Sequence, residues 1–203
     1  MNTRTLTKDP LNLIISGVGG QGNVVISLMI GNALVNKGYF VMIGQTFVGL
    51  QRGGQVRNYL RISKEKLYSP IIPHGCADII ISMELVEAVR ELAEFGNSNI
   101  LTVVNPRIVA PPGLKSVYPE PNKVLEDIKE LSGRTLVVNA TEEAAKMGNP
   151  ILANVILVGA LVGTGMLPLN KESVESELCD RFPKAVDINL KAFNRGVELT
   201  AGS

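Results

Sequence analysis

An apolar run, Leu11-Asn12-Leu13-Ile14-Ile15-Ser16, enters a loop with four glycines in six positions, Gly17-Val18-Gly19-Gly20-Gln21-Gly22, and a helical pattern follows at once. Glycine reaches positive φ without steric cost and carries no side chain to hold a ligand or a neighbouring backbone away. A helix that starts just past such a loop offers unpaired N–H groups and the positive end of its dipole, which suits phosphate or carboxylate. The spacing Gly17-x-Gly19-x-x-Gly22 has the form of a dinucleotide fingerprint. It lacks the acidic residue that ends the second strand of such units and holds the ribose hydroxyls. No Asp or Glu occurs between Asp9 and Glu65. Three readings of the loop therefore stay open: tight packing of helix on strand, a nicotinamide dinucleotide site, and an anion-lined or subunit-contact loop.

The rest of the chain repeats the alternation of strand and helix. A helix is expected over 23–37, closed by Gly38 and apolar nearly all round, so that it should be covered on most sides. Tyr39 to Ile43 reads as a buried strand. Gln51-Arg52-Gly53-Gly54 then leads into Gln55 to Ser63, in which Val56, Leu60 and Ile62 face one way and Arg57, Tyr59 and Arg61 the other. That pattern predicts a strand with one wet side near a sheet edge. It should run antiparallel, because no helix separates it from the strand before. Further strands are expected at 77–83, 99–104, 116–118 and 135–138, with helices at 84–95, 122–131 and 139–147. The order predicts a three-layer α/β fold, a doubly wound and mostly parallel sheet with helices on both faces, Rossmann-like, ending in C-terminal helices. At 203 residues the chain reads as a single domain, 1–203, with a helical part from about 150.

From Met147 to Asn170 there is no charged residue. Ile151 to Leu169 is nearly long enough to span a bilayer, yet Asn154, Thr164 and Gly165 interrupt it and its flanks lack a one-sided basic cluster. The simpler expectation is a buried helix, close-packed at Gly159-x-x-x-Gly163, with Asn154 needing a polar partner. Such an excess of apolar helix predicts a homodimer or a stable heteromer. Helices at 171–181 and 184–199 follow.

The chemical inventory is thin. A net charge of +1 argues against nucleic acid or an anionic membrane as partner. Two cysteines, Cys76 and Cys179, and one histidine, His74, do not make an iron–sulfur or zinc site. Without a leader pattern, and with reduced cysteines, the expectation is a cytoplasmic protein. No nucleophile elbow, Cys–His pair or carboxylate cluster is evident. His74 reads as a solvent-facing turn residue and Cys76 as a small buried hydrophobe. Arg52, beside two glycines, could grip a carboxylate or phosphate with a bidentate fork or simply lie solvated.

Gly17-Val18-Gly19-Gly20-Gln21-Gly22, Gln51-Arg52-Gly53-Gly54-Gln55-Val56, Tyr68-Ser69-Pro70-Ile71-Ile72-Pro73 before Ala77-Asp78-Ile79-Ile80, and Asn154 with Gly159-Ala160-Leu161 occur in this order over nearly the whole chain. In these elements the chain resembles the gamma-type subunits of the 2-oxoacid:ferredoxin oxidoreductases, and among them the small beta subunit of indolepyruvate:ferredoxin oxidoreductase. The resemblance implies a subunit of an enzyme that oxidatively decarboxylates a 2-oxoacid, indolepyruvate or another aryl or branched acid, to an acyl-CoA and passes electrons to ferredoxin. It implies that thiamine diphosphate and iron–sulfur clusters sit on a larger partner subunit, with no cofactor held by this chain alone. Coenzyme A access is implied for Gly19, Gly20, Gln21, Gly22 and Arg52, and Gly17, Gln51, Gly53, Gly54 and Asn154 join them as candidate cofactor-binding residues. A different class of reading is a free-standing nucleotide- or coenzyme A-binding module without catalysis.

Overall fold

Every position of β1, Leu11–Val18, is buried, which requires cover on both faces and a neighbour on both edges. A computed structural model of the chain, which describes residues 5–47, 54–110 and 118–201, supplies all four. Among the described residues six strands form one sheet: β1, β2 (Phe40–Phe47), β3 (Gln55–Ser63), β4 (Ile79–Ser82), β5 (Leu101–Val104) and β6 (Arg134–Val137). Their spatial order is β2-β3-β1-β4-β5-β6. β1, β4, β5 and β6 run parallel. β3 is antiparallel to both its neighbours, with Val18 opposite Gln55 and Phe47 opposite Val56. The sheet is thus parallel apart from one strand, as expected of the doubly wound class.

Alternation along β1 divides the core. Leu11, Leu13 and Ile15 pack with Ile26, Ile30 and Leu34 of α1 (Asn23–Val35) and with Ile156, Leu157 and Leu161 of α5 (Ala153–Gly163). Ile14 turns to the other face, where Ala88, Leu92 and Phe95 of α2 (Leu85–Phe95) and Val124 and Ile128 of α3 (Pro121–Leu131) close the second core. α4 (Ala140–Lys146), α6 (Lys171–Arg181) and α7 (Val186–Thr200) complete the helices.

Five expectations need correction. The strand expected to be buried at 39–43 is the edge strand β2, with Phe40 exposed and Val41 to Ile43 only half-buried. The Arg-rich strand β3 is second from the edge, and the face bearing Arg57 and Tyr59 is not wet: α2 covers it, and Tyr59 meets Phe95 edge to face at 5.7 Å. The apolar stretch from Ile151 to Leu169 is not one helix; a short 3-10 turn, Pro150–Leu152, precedes the eleven residues of α5. α5 needs no second molecule for cover, because α7 lies along it. Gly159 and Gly163 let the backbones touch, a methyl at Gly159 colliding with the Phe193 carbonyl and one at Gly196 with the Ile156 carbonyl. α1, by contrast, leaves Val24, Leu28 and Val35 exposed. No helix among the described residues is long and apolar enough to cross a membrane. The strand expected at 116–118 falls almost wholly outside the described residues.

Candidate functional site

β1 feeds the glycine loop at its carboxyl end, and the antiparallel course of β3 starts that strand at the same end. The Gly19 N–H accordingly donates to the Gly54 carbonyl at 2.8 Å. The two loops singled out by sequence do meet, through Gly54; Gln51, Arg52 and Gly53 lie outside the described residues. The same insertion of β3 separates β1 from β2, moving the end of β2 two strand spacings from the glycine loop. That layout goes against the dinucleotide reading, which needs the second strand next to the first.

The glycines have different jobs. At Gly17 an added methyl would crowd Gln21, Met83 and Asn23, so close packing fixes this position. Gly20 has φ 91° and its Cβ direction is open space. Gly22 has φ 80°, caps α1 without any side-chain cap, and has the Asn154 amide where a Cβ would sit. Gln21 turns its side chain inward: Oε1 accepts from the Val18 N–H at 2.8 Å and stiffens the loop. Asn23, at the start of α1, is buried with neither side-chain polar atom hydrogen-bonded.

Beside this loop lies a pocket of about 160 Å³ over the carboxyl ends of the strands. Gly20 and Gln21 follow β1, Met83 follows β4, Asn105 and Arg107 follow β5, Thr141 follows β6, and Asn154 opens α5. This is the crevice where open α/β sheets bind ligands. Asn154 is 9% exposed with its amide nitrogen against Gly22, and among the described residues its side chain finds no hydrogen-bond partner, which its burial calls for. Asn105 is a fixed strut: its amide donates to the Met83 carbonyl and to Thr141 Oγ1, and its carbonyl accepts from the Thr141 N–H. Arg107 is exposed at the rim and borders a second hollow of about 330 Å³ shared with Asn105, Asn139, Thr141 and Glu142. The first turn of α1, without a side-chain cap, points the positive end of its dipole toward this region, whereas α5 continues a 3-10 turn that the Asn149 side chain caps. The arrangement can hold an anionic group. Among the described residues its lining has no histidine, cysteine or carboxylate to move a proton.

Sequence reasoning found the glycine loop and Asn154 but missed Asn105, Arg107 and Thr141. In the sequence Asn105-Pro106 merely follows the strand at 99–104, although a polar residue directly after a buried parallel strand is the signal that could have marked it.

A second polar cluster lies behind the sheet. Glu84, Glu87 and Glu91 are all buried along one face of α2. Glu84 caps the helix, accepting from the Glu87 N–H at 2.8 Å, and also accepts from the Val109 N–H at 3.0 Å. Glu91 pairs with Arg57 at 2.5 Å and accepts from Gln55 at 3.0 Å. Burial works against the Arg57 charge, but its bonds to Glu91 and Tyr59 outweigh this and keep it protonated. Burial pushes the Glu87 carboxyl up to about 7, against the pull of Arg90, and one of its oxygens has no hydrogen-bond partner. His74 stands in solvent 3.9 Å from Glu94, and Cys76 is half-buried against the second core. Two cysteines do not furnish the four ligands of an iron–sulfur cluster, and no group of three metal-ligating side chains occurs among the described residues.

Residues 12–199 match the family described as pyruvate ferredoxin/flavodoxin oxidoreductase. The chain is 37% identical over 190 residues to an indolepyruvate oxidoreductase subunit IorB of Archaeoglobus fulgidus, covering 92% of this chain and 93% of that one. A pyruvate oxidoreductase subunit PORC from Thermotoga maritima has the same fold, with a TM-score of 0.71 at 22% identity over 94% of this chain and 97% of its own. A 2-oxoglutarate:ferredoxin oxidoreductase from Magnetococcus marinus, solved with 2-oxoglutarate, coenzyme A and succinyl-CoA bound, matches 97% of this chain with a TM-score of 0.76 at 22% identity; the match takes up 32% of its longer chain.

Proposed function

The chain belongs to the pyruvate ferredoxin/flavodoxin oxidoreductase family, and from that premise we propose that it is the small subunit of a 2-oxoacid:ferredoxin oxidoreductase, acting on indolepyruvate or another aryl or branched 2-oxoacid. The assembled enzyme decarboxylates the 2-oxoacid oxidatively to an acyl-CoA. Thiamine diphosphate and iron–sulfur clusters belong to a larger partner subunit, and ferredoxin takes the electrons from that partner. This chain, a single domain over 1–203, contributes a shaped wall. Gly17, Gly19, Gly20, Gln21 and Gly22 with Asn154 form a cradle for an anionic group of coenzyme A. Gln51, Arg52, Gly53 and Gly54 are assigned to the same ligand on the sequence resemblance.

The observation that carries this reading is the composition of the pocket. Glycine backbone, the uncapped start of α1, Asn154 and the Arg107 guanidinium converge there, and among the described residues no acid or base lines it. A volume of about 160 Å³ takes a phosphate or a carboxylate, not a whole cofactor. The similarity to an indolepyruvate oxidoreductase subunit supports the substrate class.

The test is reconstitution. The isolated chain gives no 2-oxoacid-dependent reduction of ferredoxin, and adding the partner restores it. Full activity of the chain alone would sink the proposal. In the reconstituted enzyme, Asn154→Leu combined with Arg107→Ala should raise the KM for coenzyme A about tenfold, equal to about 1.4 kcal/mol, with little change for the 2-oxoacid. Micromolar binding of coenzyme A by the chain without any partner would instead favour a free-standing binding module.

A further inference from the structure

Apolar surface that the fold leaves open concentrates in one place. From Pro10 to Gln51 the sequence holds a single charged residue, Lys37. Within that span α1 exposes Val24, Leu28 and Val35 at 42%, 37% and 53%. These positions share one stripe of the helix with Gly31, and a methyl at Gly31 would collide with Ile43 and touch Val41, so the stripe borders β2. Among the described residues β2 is the terminal strand, hydrogen-bonded to β3 on one side only. Its eight residues, Phe40 to Phe47, contain no charge and no proline, and Phe47 is 60% exposed. Free sheet edges are ordinarily blunted by charge, proline or brevity; this one has none of the three. The opposite edge, β6, is four residues long and begins at Arg134. Of the remaining exposed apolar side chains, Leu131 and Leu199 stand on separate helices, Leu67 and Ile71 in the loop after β3, and Val137 on β6; placed apart, they need no explanation.

We propose that the outer stripe of α1 and the open edge of β2 form the seat of the larger, cofactor-bearing subunit. The inference rests on the subunit reading above. The partner's matching face is apolar and uncharged, since no charge here could answer one there, and it includes an extended segment that adds to β2 by main-chain hydrogen bonds. Such a face is typical of a permanent interface rather than a transient one. Position favours this partner over a second copy. The stripe begins at the glycine loop, two residues past Gly22, and Ile151 at the pocket rim is 69% exposed. One large body seated here covers the stripe, the sheet edge and the pocket mouth together, and so brings its reactive groups to the pocket. A two-fold pairing of edges would leave the pocket open.

The experiment compares hydrogen–deuterium exchange in the isolated chain and in the complex purified from its own cell, the partner being recognised by bound thiamine diphosphate and iron–sulfur absorption. Amides of residues 40–47 and of the first turns of α1 should exchange about tenfold more slowly in the complex. Leu28→Glu with Val35→Glu, both exposed in the chain, should leave its thermal unfolding unchanged and lower partner recovery about tenfold or more. A complex that forms with unaltered exchange in these segments overturns the surface assignment while leaving the subunit reading intact. An isolated chain already protected there as a homodimer overturns it as well. Absence of any cofactor-bearing partner overturns the subunit reading, and this inference with it.

Discussion

Glu87 is the residue at which burial and charge are least reconciled. Its side chain is 2% exposed, one oxygen meets Arg90 at 2.6 Å, and the other meets nothing. Burial raises its carboxyl from an ordinary 4.5 to about 7. The folded state therefore holds a proton that the unfolded chain releases near 4.5, so stability falls as pH rises between about 4.5 and 7 and levels off above. At about 1.4 kcal/mol per unit the fall is roughly 3–4 kcal/mol. Glu87→Gln should flatten the slope of thermal stability between pH 5 and 7; an unchanged slope would assign the proton elsewhere. One turn on, burial also raises the Glu91 carboxyl, against its hydrogen bond to Arg57, and removing either partner would strand a buried charge.

At the scale of elements, the contact of α5 with α7 is set by glycines. Gly159 lies against the Phe193 carbonyl, Gly163 against Thr200 and Val197, and Gly196 against the Ile156 carbonyl. Thr200 Oγ1 donates to the Ala160 carbonyl at 2.8 Å across the same seam. Gly159→Val would force the backbones apart and should lower stability by about 2–3 kcal/mol, read as the denaturant midpoint; a loss under about 0.5 kcal/mol would mean that the seam is looser than its geometry implies. The Gly159-x-x-x-Gly163 spacing made this seam legible, but not what fills it, because α7 shows an ordinary amphipathic pattern in sequence. The strands and helices were legible for a similar local reason: their periods and glycine stops are written in neighbouring residues. The lane taken by β3 was not. Whether Arg57 meets water or Glu91 depends on a helix nearly thirty residues later. The glycine loop could be read because its residues are contiguous, whereas Asn105, Arg107 and Thr141 come from separate loops that only the finished sheet assembles.

For the whole molecule, the C-terminal helices are structural and not an appendage. Ten of the eleven residues of α5 are buried, and α7 supplies much of that cover through Phe193, Ala192 and the glycine seam. A chain ending at Phe182 would open this surface to water. It should unfold without a cooperative transition and bind hydrophobic dyes, whereas sharp two-state melting would show that α7 is dispensable. Sheet and C-terminal helices thus stand or fall together, and the pocket at their junction inherits its rigidity from both.

The lane between β1 and β2 has a further consequence. Those strands lie two spacings apart, roughly 9.6 Å, and never bond to each other. A nascent chain that has reached Phe47 therefore carries two strands with a vacant track between them. Only when the hairpin returns, with residues 55–63 threading into that track, does β2 gain its neighbour and β1 its antiparallel one. Biogenesis of the ligand cradle is consequently a closing step: the peptide that zips the halves together is the one that draws the second loop up to the first.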